Sequence, residues 1–101
     1  MKEYRLRPAA EGDLDDIWRY TATTWSLEQA QQYVSRLFDM FDAFAENPAR
    51  GQRADQVMKG YRRLRCGHHI IFYLKSDTGP IEVVRILHEK VDIRHHLDNQ
   101  P

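Results

Sequence analysis

The segment from Ser26 to Pro48 limits the fold of this chain more than any other stretch. Ser26 is followed three residues later by Gln29, a pairing that caps the first turn of a helix. Beyond it Ala30, Tyr33, Val34, Leu37, Phe38, Phe41, Phe44 and Ala45 recur at intervals of three and four, which places a wide apolar stripe on one helical face. Asn47-Pro48 ends the helix, because the residue before a proline is pushed out of helical geometry. Such a stripe has to be covered. Its spacing is what burial requires, so these aromatics read as core rather than as a cofactor box.

A second helix precedes this one. Pro8 suits a first helical turn, and Leu14, Ile17, Trp18, Thr21 and Trp25 follow at helical spacing. Glu11, Asp13, Asp15 and Asp16 sit toward its N-terminal end, where the helix dipole favours negative charge. Only a few residues separate the two helices, so they are expected to pack as an antiparallel hairpin.

The remaining elements read as strands. Glu3–Arg7 alternates, with Tyr4 and Leu6 on one side and charges on the other. After a loop of about ten residues (ARGQRADQVM), Tyr61–Cys66, a turn near Gly67, the run HIIFYLK, the turn SDTGP and IEVVRIL predict a three-stranded antiparallel meander. Ile70–Leu74 is apolar on both faces, which predicts a central strand lying under the helices. The expected architecture is α+β: N-terminal strand, antiparallel helix hairpin, three-stranded antiparallel meander, and a short C-terminal tail or helix.

With 101 residues, 42% of them hydrophobic and 11% aromatic, the chain can bury one core, and residues 1–101 are read as one domain. Cys66 is the only cysteine, which excludes an internal disulfide and suits a reducing compartment. No apolar run reaches the roughly 20 residues of a membrane span, and MKEYRLRPAAEGD has no signal-peptide core, so the expectation is a cytoplasmic protein away from membranes. Net charge is zero but polarised: residues 1–50 hold six Lys/Arg against nine Asp/Glu, and residues 51–101 hold nine against six. A dedicated nucleic-acid binder would carry an overall positive excess, so direct nucleic-acid binding is not expected. The polarity suits a protein partner on a basic surface.

Four stretches together resemble the ParE branch of the RelE/ParE toxin superfamily: AAEGDLDDIWRYT, ENPARGQR, GYRRLRCGHHIIFYL and IEVVRILHEKVDIRHHL. They cover nearly the whole chain in the family's order, and RILH closing the last strand is the most telling piece. The resemblance implies a toxin of a bacterial type II toxin–antitoxin module, held as a hetero-oligomer by a ParD-type antitoxin. The ParE branch is associated with inhibition of DNA gyrase, and the RelE branch with cleavage of ribosome-bound mRNA. One scaffold serves both, so fold does not choose between them.

Candidate site residues follow. Lys59–Arg65 (KGYRRLR) carries four positive charges, and alternation places Arg63 and Arg65 on the face of Tyr61. Lys59, Tyr61, Arg63 and Arg65 are therefore candidates for antitoxin or target binding, against the plainer reading of a solvated strand face. Alternation also places Arg85 with Val83 and Leu87, where it must snorkel or be paired, and His88 on the opposite face with Ile86. If the chain were a nuclease, Arg63, Arg65, Arg85 and His88 would be its catalytic set. His88 is otherwise expected to make a structural hydrogen bond. The resemblance implies a toxicity-related C-terminal segment, which adds Asp92, Arg94 and His95 to the contact candidates.

His88, Asp92, His95 and His96 have metal-ligand spacing only on an unbroken helix. The resemblance instead keeps His88 in the strand, and adjacent His95-His96 cannot share a helical face, so no metal is expected. His68 and His69 straddle a turn and a strand start and read as structural, and Cys66 as a small buried residue. No Gly-rich phosphate loop or Ser/His/Asp arrangement is present, so no cofactor is expected. The favoured function is a non-enzymatic gyrase inhibitor. The rivals are a RelE-type mRNA endonuclease and a scaffold that binds antitoxin without toxicity.

Overall fold

The computed structural model describes residues 3–75, 77 and 79–91. In chain order these form β1 (Tyr4–Leu6), α1 (Pro8–Thr24), α2 (Leu27–Glu46), a 3-10 turn at Pro48–Arg50, β2 (Gln52–Arg53), β3 (Tyr61–Cys66), β4 (His69–Leu74) and β5 (Ile81–His88).

The local signals act as expected. Ser26 Oγ accepts from the Gln29 amide at 3.0 Å, and α2 starts at the next residue. Ala30, Leu37, Phe41, Phe44 and Ala45 are buried; burial of each large side chain contributes about 1.5–3 kcal/mol. Phe44 stacks on Tyr73 of β4 with ring centroids 4.1 Å apart, which fixes α2 over the middle of the sheet.

The apolar stripes are narrower than their spacing suggested. Phe38 on α2 is 36% exposed, and on α1 only Ala10, Leu14 and Ile17 are buried. Trp18 is 37% exposed and Trp25, which caps the end of α1, is 68% exposed. Helical spacing puts a residue on a face, but the width of the sheet beneath decides whether that face is covered.

The sheet has five strands in the order β1-β5-β4-β3-β2. The meander β3-β4-β5 is antiparallel and β4 is central, as its two-sided apolar character predicted. The N-terminal strand joins parallel to β5, with Tyr4 opposite Ile81 and Leu6 opposite Val83, so the sheet is mixed.

Both faces of the sheet carry a core. Ile71, Tyr73, Ile81, Val83 and Ile86 pack against the helices. On the reverse face Tyr61, Phe72, Val84 and Leu87 pack with Ala54, and Val57 and Met58 close over them. The segment expected to be a plain loop therefore supplies a strand, a 3-10 turn and a cover for the second face.

A register irregularity between Phe72 and Tyr73 corrects the simple alternation along β5. Phe72 faces Arg85 while Tyr73 faces Val83, so Val84 is the extra residue. Val83 accordingly packs under the helices and Leu87 on the reverse face, and Arg85 cannot share a face with both. It turns toward the helices, on the same side as Ile86.

Candidate functional site

Between the hairpin and the ends of β4 and β5 lies a groove of about 1060 Å³. The α1 side is formed by Ile17, Tyr20 and Trp25, the α2 side by Tyr33 and Arg36, and the sheet end by His69, Ile86 and His88. Tyr20 is 66% exposed and Trp25 68%, so a large aromatic surface faces solvent along one wall.

Tyr33 organises the sheet end. Its hydroxyl accepts from the His68 amide at 3.2 Å and lies 2.6 Å from His69 Nδ1 and 3.1 Å from the Cys66 carbonyl. Burial raises the pKa of this phenol. The arrangement depends on Gly67, which has φ +62° and would place a Cβ 2.7 Å from the Tyr33 ring. His69 is pushed down to about 4, first by burial and then by neighbouring His88 and His68, so its imidazole is neutral near pH 7.

The candidate basic residues are largely committed. Arg85 Nε and Nη2 donate to Asp13 of α1 at 2.7 and 2.8 Å, and the Ile86 amide donates to the same carboxylate at 2.9 Å. Of the two roles open to it, Arg85 is therefore paired. Arg65 donates to Glu89, whose other oxygen lies 3.0 Å from His68 Nδ1. Arg63 and Arg65 face Phe72 and Ile70, which belong to the reverse-face core, and so point away from the groove. Tyr61 is 6% exposed and is core on that same face, which interrupts the proposed docking strip. Lys59 is exposed in the preceding turn.

His88 ends β5 rather than starting a helix. Its Nδ1 accepts from the Lys90 amide at 3.2 Å, and its ring meets His69 edge-on with centroids 5.4 Å apart. It thus shares the groove with Arg85 and Ile86 instead of lying on the face opposite Arg85. Asp92, Arg94, His95 and His96 lie outside the described residues. Among the described residues, no group of three or more His, Cys, Asp or Glu is placed to hold a metal ion.

Sequence reasoning missed Asp13, Tyr33, Arg36 and His69 as groove residues. Asp13 read as a charge favoured by the helix dipole, and Tyr33 as one more member of a stripe. A double histidine after a turn glycine was the available signal, but the partner that gives it meaning lies 36 residues away in the chain.

A family model described as ParE toxin of type II toxin–antitoxin system, parDE, matches residues 4–93. Toxin ParE1 of Mycobacterium tuberculosis (strain CDC 1551 / Oshkosh) is 40% identical over 94 residues, covering 93% of this chain and 96% of that protein. Toxin ParE1 of Caulobacter vibrioides is 40% identical over 97 residues, covering 96% of this chain and 99% of that one. A solved structure described as "Chromosomal ParDE TA system from P. aeruginosa" superposes with a TM-score of 0.73 over 87% of this chain and 96% of that chain; at 18% identity this speaks for the fold alone. The family match over most of the chain and two relatives covered almost from end to end place the chain in one family: it belongs to the ParE toxins of type II toxin–antitoxin systems.

Proposed function

We propose that this ParE-family toxin is a protein inhibitor that binds DNA gyrase, and that a ParD-type antitoxin neutralises it by lying in the groove between the hairpin and the sheet. The observation that carries the inhibitor reading is the engagement of Arg85. Cleavage of RNA needs a base, an acid and free cations converging on one phosphate. Arg85 spends both arms on Asp13, Arg65 is tied to Glu89, and Arg63 faces the other side of the sheet. His88 alone of the four nuclease candidates is left in the groove without a side-chain hydrogen bond to another side chain among the described residues.

The exposed aromatic wall of Tyr20 and Trp25 supports the antitoxin's seat, since large apolar surface flanked by polar groups marks a protein-interaction site. A segment that folds as it binds there would bury on the order of 1,000–3,000 Å². Gyrase as target rests on family membership and the resemblance that goes with it.

The test is supercoiling of relaxed plasmid by purified gyrase with antitoxin-free protein. Lost supercoiling, restored by antitoxin, is expected. If supercoiling is untouched while the protein still stops growth, gyrase is not the target, and cleavage of ribosome-bound mRNA by wild type against Arg85→Ala and His88→Ala becomes the deciding assay.

A further inference from the structure

The sheet end of the groove contains a hydrogen-bond donor whose orientation is set by a local contact. The Lys90 amide donates to His88 Nδ1, so that nitrogen bears no proton and the ring N–H is on Nε2. The Tyr33 hydroxyl donates to the Cys66 carbonyl at 3.1 Å and lies 2.6 Å from His69 Nδ1, which holds the His69 ring beside His88. The two rings meet edge-on at 5.4 Å.

Two cations flank this donor. The Arg36 guanidinium lies 5.7 Å from the Tyr33 ring centroid, and Lys90 lies two residues beyond His88. Neither forms an ion pair among the described residues. Contacts run unbroken from Arg36 through Tyr33, His69 and His88 to the backbone of Lys90, whose residue lines the groove. Of the three carboxylates in the groove lining, Asp13 is engaged by Arg85 and Glu89 by Arg65 and His68, and Asp16 lies on α1.

We propose that this end of the groove is a subsite for one carboxylate, in which the Nε2–H group of His88 donates to an acidic side chain of a bound peptide while Arg36 and Lys90 supply the positive potential. The occupant is an amphipathic segment whose apolar side lies on Tyr20 and Trp25 and which carries an Asp or Glu at its far end. The inference rests on the groove being the antitoxin's seat and adds the chemistry of what is recognised there. A peptide carboxylate fits better than a nucleic-acid backbone. The groove offers only these two cations outside ion pairs among the described residues, it has an aromatic wall, and the whole chain has zero net charge.

The test uses two substitutions of exposed His88 and the full-length ParD-type antitoxin encoded with this chain as probe, by titration calorimetry. His88→Asn places an acceptor where Nδ1 was, and so keeps the Lys90 bond while deleting the Nε2 donor. His88→Gln places an N–H near Nε2 and gives up the Lys90 bond. His88→Asn should weaken binding at least about tenfold, the range of a charge-assisted hydrogen bond, and His88→Gln should stay within about threefold of wild type. One Asp→Asn or Glu→Gln change in the antitoxin should abolish the difference between wild type and His88→Asn. If both His88 variants bind as wild type, or if no antitoxin carboxylate couples to His88, the subsite is wrong although the antitoxin still occupies the groove. If wild type fails to bind the antitoxin at all, the groove reading falls and takes the subsite with it. If a single-stranded RNA of about 20 nucleotides, longer than a typical single-strand site, binds and His88→Asn weakens it, the site takes phosphate and the peptide assignment is overturned.

Discussion

Asp13 and Arg85 stand 72 residues apart and form a two-pronged ion pair with side chains 11% and 13% exposed, tying α1 to the last strand. The same carboxylate accepts from the Ile86 amide, so it also satisfies a backbone donor beside the β5 irregularity. Removing one partner leaves a desolvated charge behind. Asp13→Ala should therefore cost about 3 kcal/mol, and Arg85→Ala a similar amount. Replacing both, as Asp13→Ala with Arg85→Ala, should cost less than the sum of the single changes, because no lone charge remains. Urea midpoints for the two partners, singly and together, measure the coupling. Additive losses would show that the pair acts independently.

This pair also marks where sequence reasoning stops. The Ser26 cap, the end of α2 at Asn47 and the central place of β4 depend on neighbouring residues or on one strand's own composition, and they were legible. The parallel joining of β1 to β5, the extra residue Val84 and the closure of the reverse face by Val57 and Met58 each depend on a register set by distant segments. One shift of register moved Leu87 to the other face from Val83 and sent Arg85 to Asp13. Of the candidate site, Arg85 and His88 were legible as the polar end of an apolar strand. Tyr33 and His69 were not, because each looked ordinary until the β3–β4 turn brought them together.

His69 makes stability fall in acid. Its pKa is lowered from 6.5 to about 4 by burial and by His88 and His68, against an opposing pull from Asp13; on the α2 side it meets the Tyr33 hydroxyl. Between those values the unfolded chain takes up a proton that the folded chain refuses, so stability is lost as pH falls through that window. The loss between pH 7 and pH 5 should be about 1–2 kcal/mol once solvent screening is allowed for. His69→Asn keeps a hydrogen-bond partner for Tyr33 but does not titrate, and its stability should fall less over the same interval. Urea unfolding of both proteins at the two pH values decides it; equal losses would exclude His69 as the source.

Two glycines should respond in opposite directions to alanine. Gly67 combines φ +62° with contact against the Tyr33 ring, so Gly67→Ala meets both backbone strain and overlap. It should cost about 2 kcal/mol. Gly12 lies within α1, and a Cβ added there would meet nothing within 4 Å. Gly12→Ala should therefore stabilise by about 0.5–1 kcal/mol through helix propensity alone. Thermal and urea unfolding read both changes, and a neutral Gly67→Ala would contradict the close packing of the β3–β4 turn on α2.

Exposed aromatics separate the groove from the rest of the surface. Trp25 and Leu27 are each 68% exposed, but Trp25 lines the groove and Leu27 does not. Trp25→Ala and Tyr20→Ala remove little buried area, so each should leave stability within about 0.5 kcal/mol of wild type. If the antitoxin lies along this wall, each should weaken its binding at least about tenfold, as truncated aromatic anchors do at interface centres. Leu27→Ala, equal in exposure to Trp25 and close to it in the chain, should have little effect. Titration of the three variants with antitoxin gives the comparison. Equal losses at Leu27 and Trp25 would move the interface to the tip of the hairpin, and no loss at Trp25 or Tyr20 would remove the antitoxin from the groove.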